Sequence, residues 1–183
     1  EVLDLHWQPT RQAAERDVLI LSSGPADQLE TGSLYFCNAI NAARERLWIA
    51  SPYFVPDVDI LATLKLAALI GVDVRLLVPD VRDHWLVWLA AFSYFDEVRR
   101  AGVKIYRYTG GFMHSKVLLV DDWMASIGTI NLDNRSCRLN FEITALVIDD
   151  DVAAEVATLF EADFERSEIY ETAFRDIPHR LIR

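Results

Sequence analysis

The first 108 residues alternate between short apolar runs and longer stretches whose apolar residues recur at helical spacing. Strands are predicted where a run is short and bounded by turn residues, at residues 18–23, 47–50, 72–78 and 103–108. Helices are predicted between them, at residues 33–46, from Asp57 to Gly71, and from about Asp83 to Gly102. Because a strand–helix–strand rhythm folds into parallel strands with helices packed on the sheet, the pattern predicts an α/β fold.

The C-terminal part has a different rhythm. Three closely spaced strands are predicted at residues 114–120, 123–128 and 141–148, the first two joined by a tight Asp121–Asp122 turn, and a last helix at residues 151–166. We therefore expect one α/β domain at residues 17–170, with a mixed, mostly parallel sheet flanked by helices on both faces. Residues 1–16 are expected to form a linker or edge segment, and residues 171–183 a C-terminal tail. The strand at residues 18–23 is expected to be buried.

Composition narrows the class of protein. The chain has 183 residues, of which 52% are apolar, enough for one domain with a sizeable core. A formal net charge of −10 disfavours non-specific binding to nucleic acid. Cys37 and Cys137 show neither metal-ligand spacing nor a disulfide framework. No run of about 18 apolar residues is present, so no membrane span is predicted, and the absence of an initiator methionine indicates a chain cut from a longer protein.

A histidine and a lysine two residues apart open the strand predicted at residues 114–120. Side chains at i and i+2 of a strand project from the same face, so His114 and Lys116 are expected to lie side by side. A nucleophile or proton donor beside a fixed cation suits phosphoryl chemistry.

Residues further along can complete such a site. Asp121 ends the strand and is expected to anchor the turn by accepting hydrogen bonds. Gly128 lets a ligand approach the backbone closely, and Thr129 and Asn131 offer a hydroxyl and an amide to phosphate oxygens. Glu142, on the next predicted strand, could hold the histidine tautomer through its second ring nitrogen.

The whole pattern resembles a known signature. The residues His114-x-Lys116-x4-Asp121-x6-Gly128-Thr129-x-Asn131 are similar to the HKD signature of the phospholipase D superfamily, and Asn140-x-Glu142 is similar to its downstream Asn-x-Glu. The flanking segments at residues 51–57, 71–75 and 128–136 resemble bacterial cardiolipin synthases, over roughly residues 18–170 and in the C-terminal half of those enzymes.

The resemblance implies a two-step phosphatidyl transfer without a metal or other cofactor. One histidine attacks the phosphodiester, and the histidine of a second motif protonates the leaving alcohol and then activates the acceptor. Lys116, Thr129 and Asn131 would stabilise the transition-state oxygens. His114 would be the general acid and base, oriented by Glu142; if the chain pairs with itself, His114 could take either role. The implied reaction condenses two phosphatidylglycerols to cardiolipin and glycerol; hydrolysis is the same chemistry with water as acceptor.

This sequence holds one such motif, because none of the other three histidines is followed by a lysine two residues on. Three alternatives follow. The chain supplies one half of a two-motif enzyme; or two copies meet across a dyad to form a phosphodiesterase, nuclease or phospholipase D; or the chain is a catalytically silent half-domain. The expected partners are a phosphatidylglycerol-like phospholipid, a second HKD half and a membrane surface. The expected location is the cytoplasmic face of a bacterial membrane, reached through parts of a parent protein outside this chain.

Two aromatic features lie outside the signature. Tyr53 and Phe54 follow a predicted parallel strand, where ligands commonly bind, and are candidates to line the substrate site. The aromatic residues of the long predicted helix fall on one face, which suits either a membrane-interface surface or, more often, packing into the core; they are Trp85, Trp88, Phe92 and Phe95.

Overall fold

A computed structural model describes residues 16–81 and 85–171, with the side chains of residues 85–87 excluded. The described chain forms ten strands and five helices. The strands are β1 (Asp17–Ser23), β2 (Arg46–Ala50), β3 (Phe54–Val55), β4 (Asp73–Pro79), β5 (Lys104–Tyr108), β6 (Val117–Val120), β7 (Met124–Gly128), β8 (Leu132–Asp133), β9 (Glu142–Ile148) and β10 (Ser167–Ile169). The helices are α1 (Thr31–Ala42), α2 (Val58–Leu69), α3 (Trp85–Arg100), α4 (Asn134–Arg138) and α5 (Asp150–Glu165).

Eight of the described strands form one sheet in the order β1-β9-β7-β6-β2-β4-β5-β10, and β3 and β8 pair separately. The α/β class and the mixed sheet are confirmed, but the prediction of mostly parallel pairing is wrong. Only β2–β4 and β4–β5 are parallel in the large sheet; the other five neighbouring pairs are antiparallel. The three residues between β6 and β7 are too few for a crossover, so the chain reverses there.

Helices cover both faces of the sheet, as expected. On one face α1, α2 and α3 pack around Leu47, Ile49 and Leu76, which are at most 2% exposed. On the other face α5 packs over Trp48 and Leu119. Phe92 and Phe95 of α3 are buried, which supports the core interpretation of its aromatic face, whereas the side chain of Trp85 lies outside the described residues.

Local signals account for the helix ends. The carboxylate of Asp57 accepts a hydrogen bond from the Ile60 backbone amide at 2.9 Å and caps α2. Gly71, just beyond the end of α2, has φ 101°, in the left-handed region that a residue without Cβ adopts readily. In the described residues, no helix has both the length and the apolar character needed to cross a bilayer.

β1 differs from its prediction, because it lies at the edge of the sheet as described and is largely exposed rather than buried. Val18, Leu19 and Ile20 are each 50–57% exposed. Residues 1–15 and 172–183 lie outside the described residues, so the predicted linker and tail stay predictions.

Candidate active site

His114 and Lys116 lie in an extended segment immediately before β6, not within the strand. The Gly128 backbone amide donates to the Lys116 carbonyl at 3.1 Å, so sheet pairing continues one residue beyond β6. The next amide along the chain, that of Thr129, donates to the Ile143 carbonyl of β9 on the other side. The predicted strand at residues 114–120 was therefore three residues too long. His114 lies just before the central strand β6 and is not part of it.

The imidazole of His114 is exposed and lies between two aromatic rings. The Tyr53 ring meets it edge-on, with ring centroids 6.1 Å apart, and the Phe112 ring stacks on it at 5.6 Å and an interplanar angle of 12°. These contacts limit the ring's orientation while leaving it accessible. An accessible imidazole held in this way can attack phosphorus or transfer a proton.

The ammonium group of Lys116 is next to His114. Its Nζ donates to the His114 backbone carbonyl at 2.7 Å. Partial burial lowers the pKa of Lys116, and the nearby carboxylates of Glu142 and Asp133 oppose that shift. The site therefore keeps a cation in a partly desolvated position, where its attraction for a phosphate is stronger than in open water.

Lys116 borders a cavity whose lining is part polar and part apolar. This small cavity of about 10 Å³, room for about one water molecule, is lined by Lys116, Gly128 and Thr144 together with Tyr35 and Ser126. The Tyr35 hydroxyl is hydrogen-bonded to Ser126. Burial raises the pKa of Tyr35 to about 12, so this phenol stays neutral and does not compete with His114 as a base.

Gly128 and Thr129 pair with Thr144 and Ile143 of β9 beside the site. A Cβ placed on Gly128 would lie 2.6 Å from the Ile143 carbonyl oxygen and 2.7 Å from the Thr144 Cα, so the close strand approach requires glycine. The Thr129 hydroxyl accepts from the Ile143 backbone amide at 3.0 Å, and its own proton lies toward the Ile143 carbonyl at 3.4 Å. The hydroxyl predicted to meet phosphate is thus already engaged with β9.

Asn131 is 9% exposed and sits on the connection between β7 and β8. Its Nδ2 donates to the Ser136 hydroxyl at 2.9 Å. Its Oδ1 is buried and has no hydrogen-bond partner among the described residues. The neighbouring Ile130, rather than Asn131, lines the cavity beside Lys116.

Glu142 has a neighbour other than the one predicted. Its Oε1 accepts from the Asn140 side-chain amide at 3.0 Å, and its charge acts on Lys116. Among the described residues no hydrogen bond joins Glu142 to His114. In this structure the carboxylate is placed to balance the lysine rather than to hold the histidine tautomer.

Asp121 lies at the opposite end of β6 from His114. Its Oδ1 accepts from the backbone amides of Arg44, Glu45 and Arg46 at 3.2, 2.8 and 2.9 Å, and Oδ2 accepts from Arg44 at 3.0 Å. Burial alone would raise the pKa of Asp121, but these three amides together lower it. The predicted anchoring by hydrogen bonds is present, and it ties the turn after β6 to the start of β2.

Tyr53 and Phe54 face different environments. Tyr53 contacts His114, and the Ser51 hydroxyl fixes its backbone by donating to the Tyr53 carbonyl at 2.7 Å while accepting from the Leu132 amide at 3.0 Å. Phe54 is 1% exposed and stacks on Phe95 in the core, 5.8 Å between centroids. Of the pair, only Tyr53 is placed beside His114.

Sequence reasoning missed two residues of this site. Phe112, 59% exposed, stacks on the histidine. The sequence could have pointed to it, because it is a large aromatic residue two positions before His114. Ser136 bonds Asn131, and its signal was an Asp-x-x-Ser capping pattern, in which the Ser136 amide donates to Asp133 at 2.8 Å.

The fold and site define a phospholipase D-like domain, and solved structures agree. The phospholipase D family member Nuc from Salmonella typhimurium superposes with a TM-score of 0.72 at 19% identity, covering 86% of this chain and 100% of Nuc. Phosphatidylserine synthase from Haemophilus influenzae superposes with a TM-score of 0.68 at 18% identity, covering 86% of this chain and 41% of that one. At such identities the likeness establishes the fold.

Sequence comparison establishes the family. The model of the family described as "Cardiolipin synthase, PLD-like domain" matches residues 36–164, and the chain belongs to this family. It is 52% identical over 163 residues to cardiolipin synthase A of Pseudomonas fluorescens, covering 88% of this chain and 34% of the relative. It is 55% identical over 148 residues to cardiolipin synthase A of Pseudomonas aeruginosa, covering 81% and 30%. The chain thus spans about a third of the length of these relatives.

Proposed function

We propose that this chain supplies one of the two HKD halves of a phosphatidyltransferase that condenses two phosphatidylglycerols to cardiolipin and glycerol. The observation that carries the proposal is the exposed imidazole of His114, together with the partly desolvated ammonium of Lys116, which donates to the His114 backbone carbonyl at 2.7 Å. The identity of more than 50% to cardiolipin synthases A over most of the chain supports this reaction over others of the fold.

In the proposed chemistry, a histidine nitrogen attacks the phosphorus of one phosphatidylglycerol, and the bond from phosphorus to the headgroup glycerol breaks. The other histidine gives the departing glycerol its proton. It then removes a proton from the hydroxyl of a second phosphatidylglycerol, whose oxygen attacks the phosphohistidine and frees the first histidine. Lys116 and Asn131 stabilise the charged oxygens. Asp121 and Thr129 act as positioning residues, since their oxygens are occupied by backbone amides.

A second half needs a surface to pack on, and the sheet offers one next to the site. Ile127, Ile143, Ile20 and Val18 lie on one face of β7, β9 and β1, each 50–57% exposed. Contiguous exposed apolar side chains of this kind mark interaction surfaces. Ile127 and Ile143 adjoin Gly128 and Glu142 in the chain, so the surface extends to the same end of the sheet as the site.

The occupant we propose is the second HKD half, because the chain spans only about a third of its relatives. Ile20→Lys should weaken that association at least tenfold, measured by titrating the second half against the chain. Leu69→Lys, the same change at an apolar residue of α2 that is 69% exposed elsewhere, is the matched control.

The function is tested by adding phosphatidylglycerol vesicles to the chain together with its second half and measuring cardiolipin and released glycerol in equal amounts. His114→Ala should abolish both products, while His84→Ala, a histidine without a lysine two residues on, should not. Turnover that survives His114→Ala would refute the proposal. Free phosphatidic acid in place of cardiolipin would identify water as the acceptor.

Self-pairing is a second candidate, favoured by the match to Nuc over the whole length of that chain. It predicts a homodimer with phosphodiesterase activity in the isolated chain. A monomeric mass in solution without phosphodiester turnover would eliminate it. The same proposal includes a second HKD half as partner and the cytoplasmic face of a bacterial membrane as the place where the enzyme acts.

A further inference from the structure

The imidazole of His114 has no hydrogen bond to hold it in the described chain. A catalytic histidine is commonly oriented by a hydrogen bond through its second ring nitrogen. The bond that Lys116 donates to this residue ends on the His114 backbone carbonyl, and the Glu142 carboxylate accepts from Asn140 instead. Among the described residues neither ring nitrogen of His114 has a partner. The orientation of the ring therefore depends on its aromatic neighbours.

Phe112 supplies the closer of the two ring contacts. Its ring centroid lies 5.6 Å from that of His114 and the two planes are 12° apart, within the range of the offset-stacked pairs that aromatic rings favour. The nitrogen lone pair and the N–H bond of an imidazole both lie in the plane of its ring. A stacked neighbour therefore sets the plane in which the His114 nitrogens act, and it leaves both ring edges open. The Tyr53 ring, at 84° to the imidazole, makes contact from a second direction.

The backbone keeps Phe112 against His114. Met113, between them, is 6% exposed and packs in the cluster under α5 with Trp48 and Leu119. Side chains at i and i+2 of an extended segment project to the same side, so the burial of Met113 turns Phe112 and His114 together toward solvent. Phe112 is 59% exposed, and in the described chain its ring contact is with His114. The Phe112 ring therefore contributes little to the core, and its contact bears on the histidine.

We infer that Phe112 is a positioning residue for the histidine: its ring fixes the plane of the His114 imidazole, so that a ring nitrogen meets the reacting lipid from one direction. The inference rests on the proposed function, because the reacting nitrogen is the one that the phosphatidyl transfer requires. It applies whether His114 attacks phosphorus or transfers the proton of a glycerol hydroxyl, since either step uses an in-plane nitrogen. Loss of the ring should then slow the chemical step and leave lipid binding unchanged.

Kinetics of the chain with its second half, at varied phosphatidylglycerol concentration, separate this role from contact with lipid. Phe112→Leu keeps an apolar side chain and removes the ring. Its kcat should fall about three- to tenfold, with KM within about twofold of wild type. Phe112→Tyr keeps a ring that can stack, so its kcat should stay within about twofold of wild type. Phe141→Leu is the matched control and should leave both constants unchanged, because Phe141 is 83% exposed and makes no ring contact with His114 in the described chain.

Nuclear magnetic resonance on the chain alone reports the position of the ring without any turnover. In wild type the His114 ring protons should show close-range cross-peaks to the ring protons of both Phe112 and Tyr53. Phe112→Leu should weaken the cross-peaks between His114 and Tyr53, although Tyr53 itself is unchanged, because the imidazole is no longer held in one plane. Phe112→Tyr should keep them. The thermal midpoint of both variants should stay within about 2 °C of wild type, since Phe112 is exposed.

Three results overturn the inference and leave the proposed function standing. Unchanged kcat in Phe112→Leu, with or without a rise in KM, removes the positioning role. An equal loss of kcat in Phe112→Leu and Phe112→Tyr shows that stacking is not the cause. Cross-peaks between His114 and Tyr53 that persist undiminished in Phe112→Leu show that the imidazole keeps its plane without Phe112. Cardiolipin formation that survives His114→Ala refutes the proposed function itself, and the inference with it.

Discussion

Asp121 offers a sharp test of whether a residue of the HKD signature acts in the chemistry or in the fold. Its carboxylate accepts from three successive backbone amides at the start of β2, and its own backbone has φ 48°, in the left-handed region. Asp and Asn adopt that region far more readily than Ala does. We therefore compare Asp121→Asn with Asp121→Ala.

The two substitutions remove different amounts of this anchor. Oδ1 accepts from all three amides, so asparagine keeps that acceptor and loses the charge, whereas alanine leaves three amides without a partner. Replacing charge-assisted bonds by neutral ones should cost about 1 kcal/mol. Alanine should cost about 3 kcal/mol, including about 1 kcal/mol for the left-handed backbone and allowing for water reaching the exposed Arg44 and Glu45.

Thermal unfolding measures both values. At about 2–4 °C per kcal/mol for a domain of this size, the midpoint should fall by about 3 °C for Asp121→Asn and about 9 °C for Asp121→Ala. At a temperature where each variant is folded, transfer activity with the second half should stay within about threefold of wild type. A hundredfold loss of activity in folded Asp121→Asn would show that the carboxylate takes part in the chemistry.

The acid dependence gives an independent check. The pKa of Asp121 is lowered in the folded chain, so its contribution to stability is present above about 3.8 and is lost as the pH falls through the lower, folded value. Asp121→Asn should therefore differ from wild type at neutral pH and converge with it in acid. A difference that stays constant down to the acid transition would contradict the role assigned to these amides.

Three further substitutions test the surroundings of the site. Gly128→Ala should destabilise the chain by about 1–3 kcal/mol, measured by denaturant unfolding, because its Cβ would meet the backbone of β9. Gly24→Ala, whose Cβ would meet only the exposed Phe141 ring, should change stability by less than about 0.5 kcal/mol. Equal effects of the two substitutions would refute the packing argument. Gly32→Ala should lose about 1–3 kcal/mol by the same measurement, because its Cβ would lie 2.8 Å from the Cys137 Cα. A stabilised variant would show that helix propensity outweighs the clash. Lys116→Met should abolish transfer yet raise the thermal midpoint at neutral pH, because burial disfavours the ammonium and lowers its pKa. Wild-type stability should accordingly rise with pH just below 10.5, and the variant should show no such rise. A lowered midpoint in the variant would refute the argument.

The sequence predicted those parts of the fold that depend on neighbouring residues. Apolar runs bounded by turns located most of the long strands, and Asp57 and Gly71 marked the ends of α2. The edges of the sheet could not be predicted in this way. β1 pairs with β9, joining Asp17 to Ile148, and no local pattern encodes a contact between residues so far apart. β3 and β8 are two residues each, too short to show a period.

The candidate site divides in the same manner. The motif identified His114 and Lys116, which precede β6, and Asn131, which follows β7. It could not predict the direction of each side chain. Phe54 packs inward although its neighbour Tyr53 contacts the histidine, because adjacent residues of an extended chain project to opposite sides. Glu142 accepts from Asn140 and lies near Lys116, and spacing alone reveals neither contact.

The spacing between Lys116 and Asp121 has a structural cause. The four residues between them are the whole of β6, Val117–Val120, a central strand paired on both sides. At one end Lys116 projects into the site, and at the other Asp121 fixes the strand to the start of β2. Adding or removing one residue would turn the buried side chains of β6 to the opposite face, or displace Lys116 from the cavity that it lines. The four-residue spacing between Lys116 and Asp121 is therefore the length of β6, a strand held at its end by the Asp121 hydrogen bonds. This length sets how far the Lys116 ammonium group extends beyond the sheet.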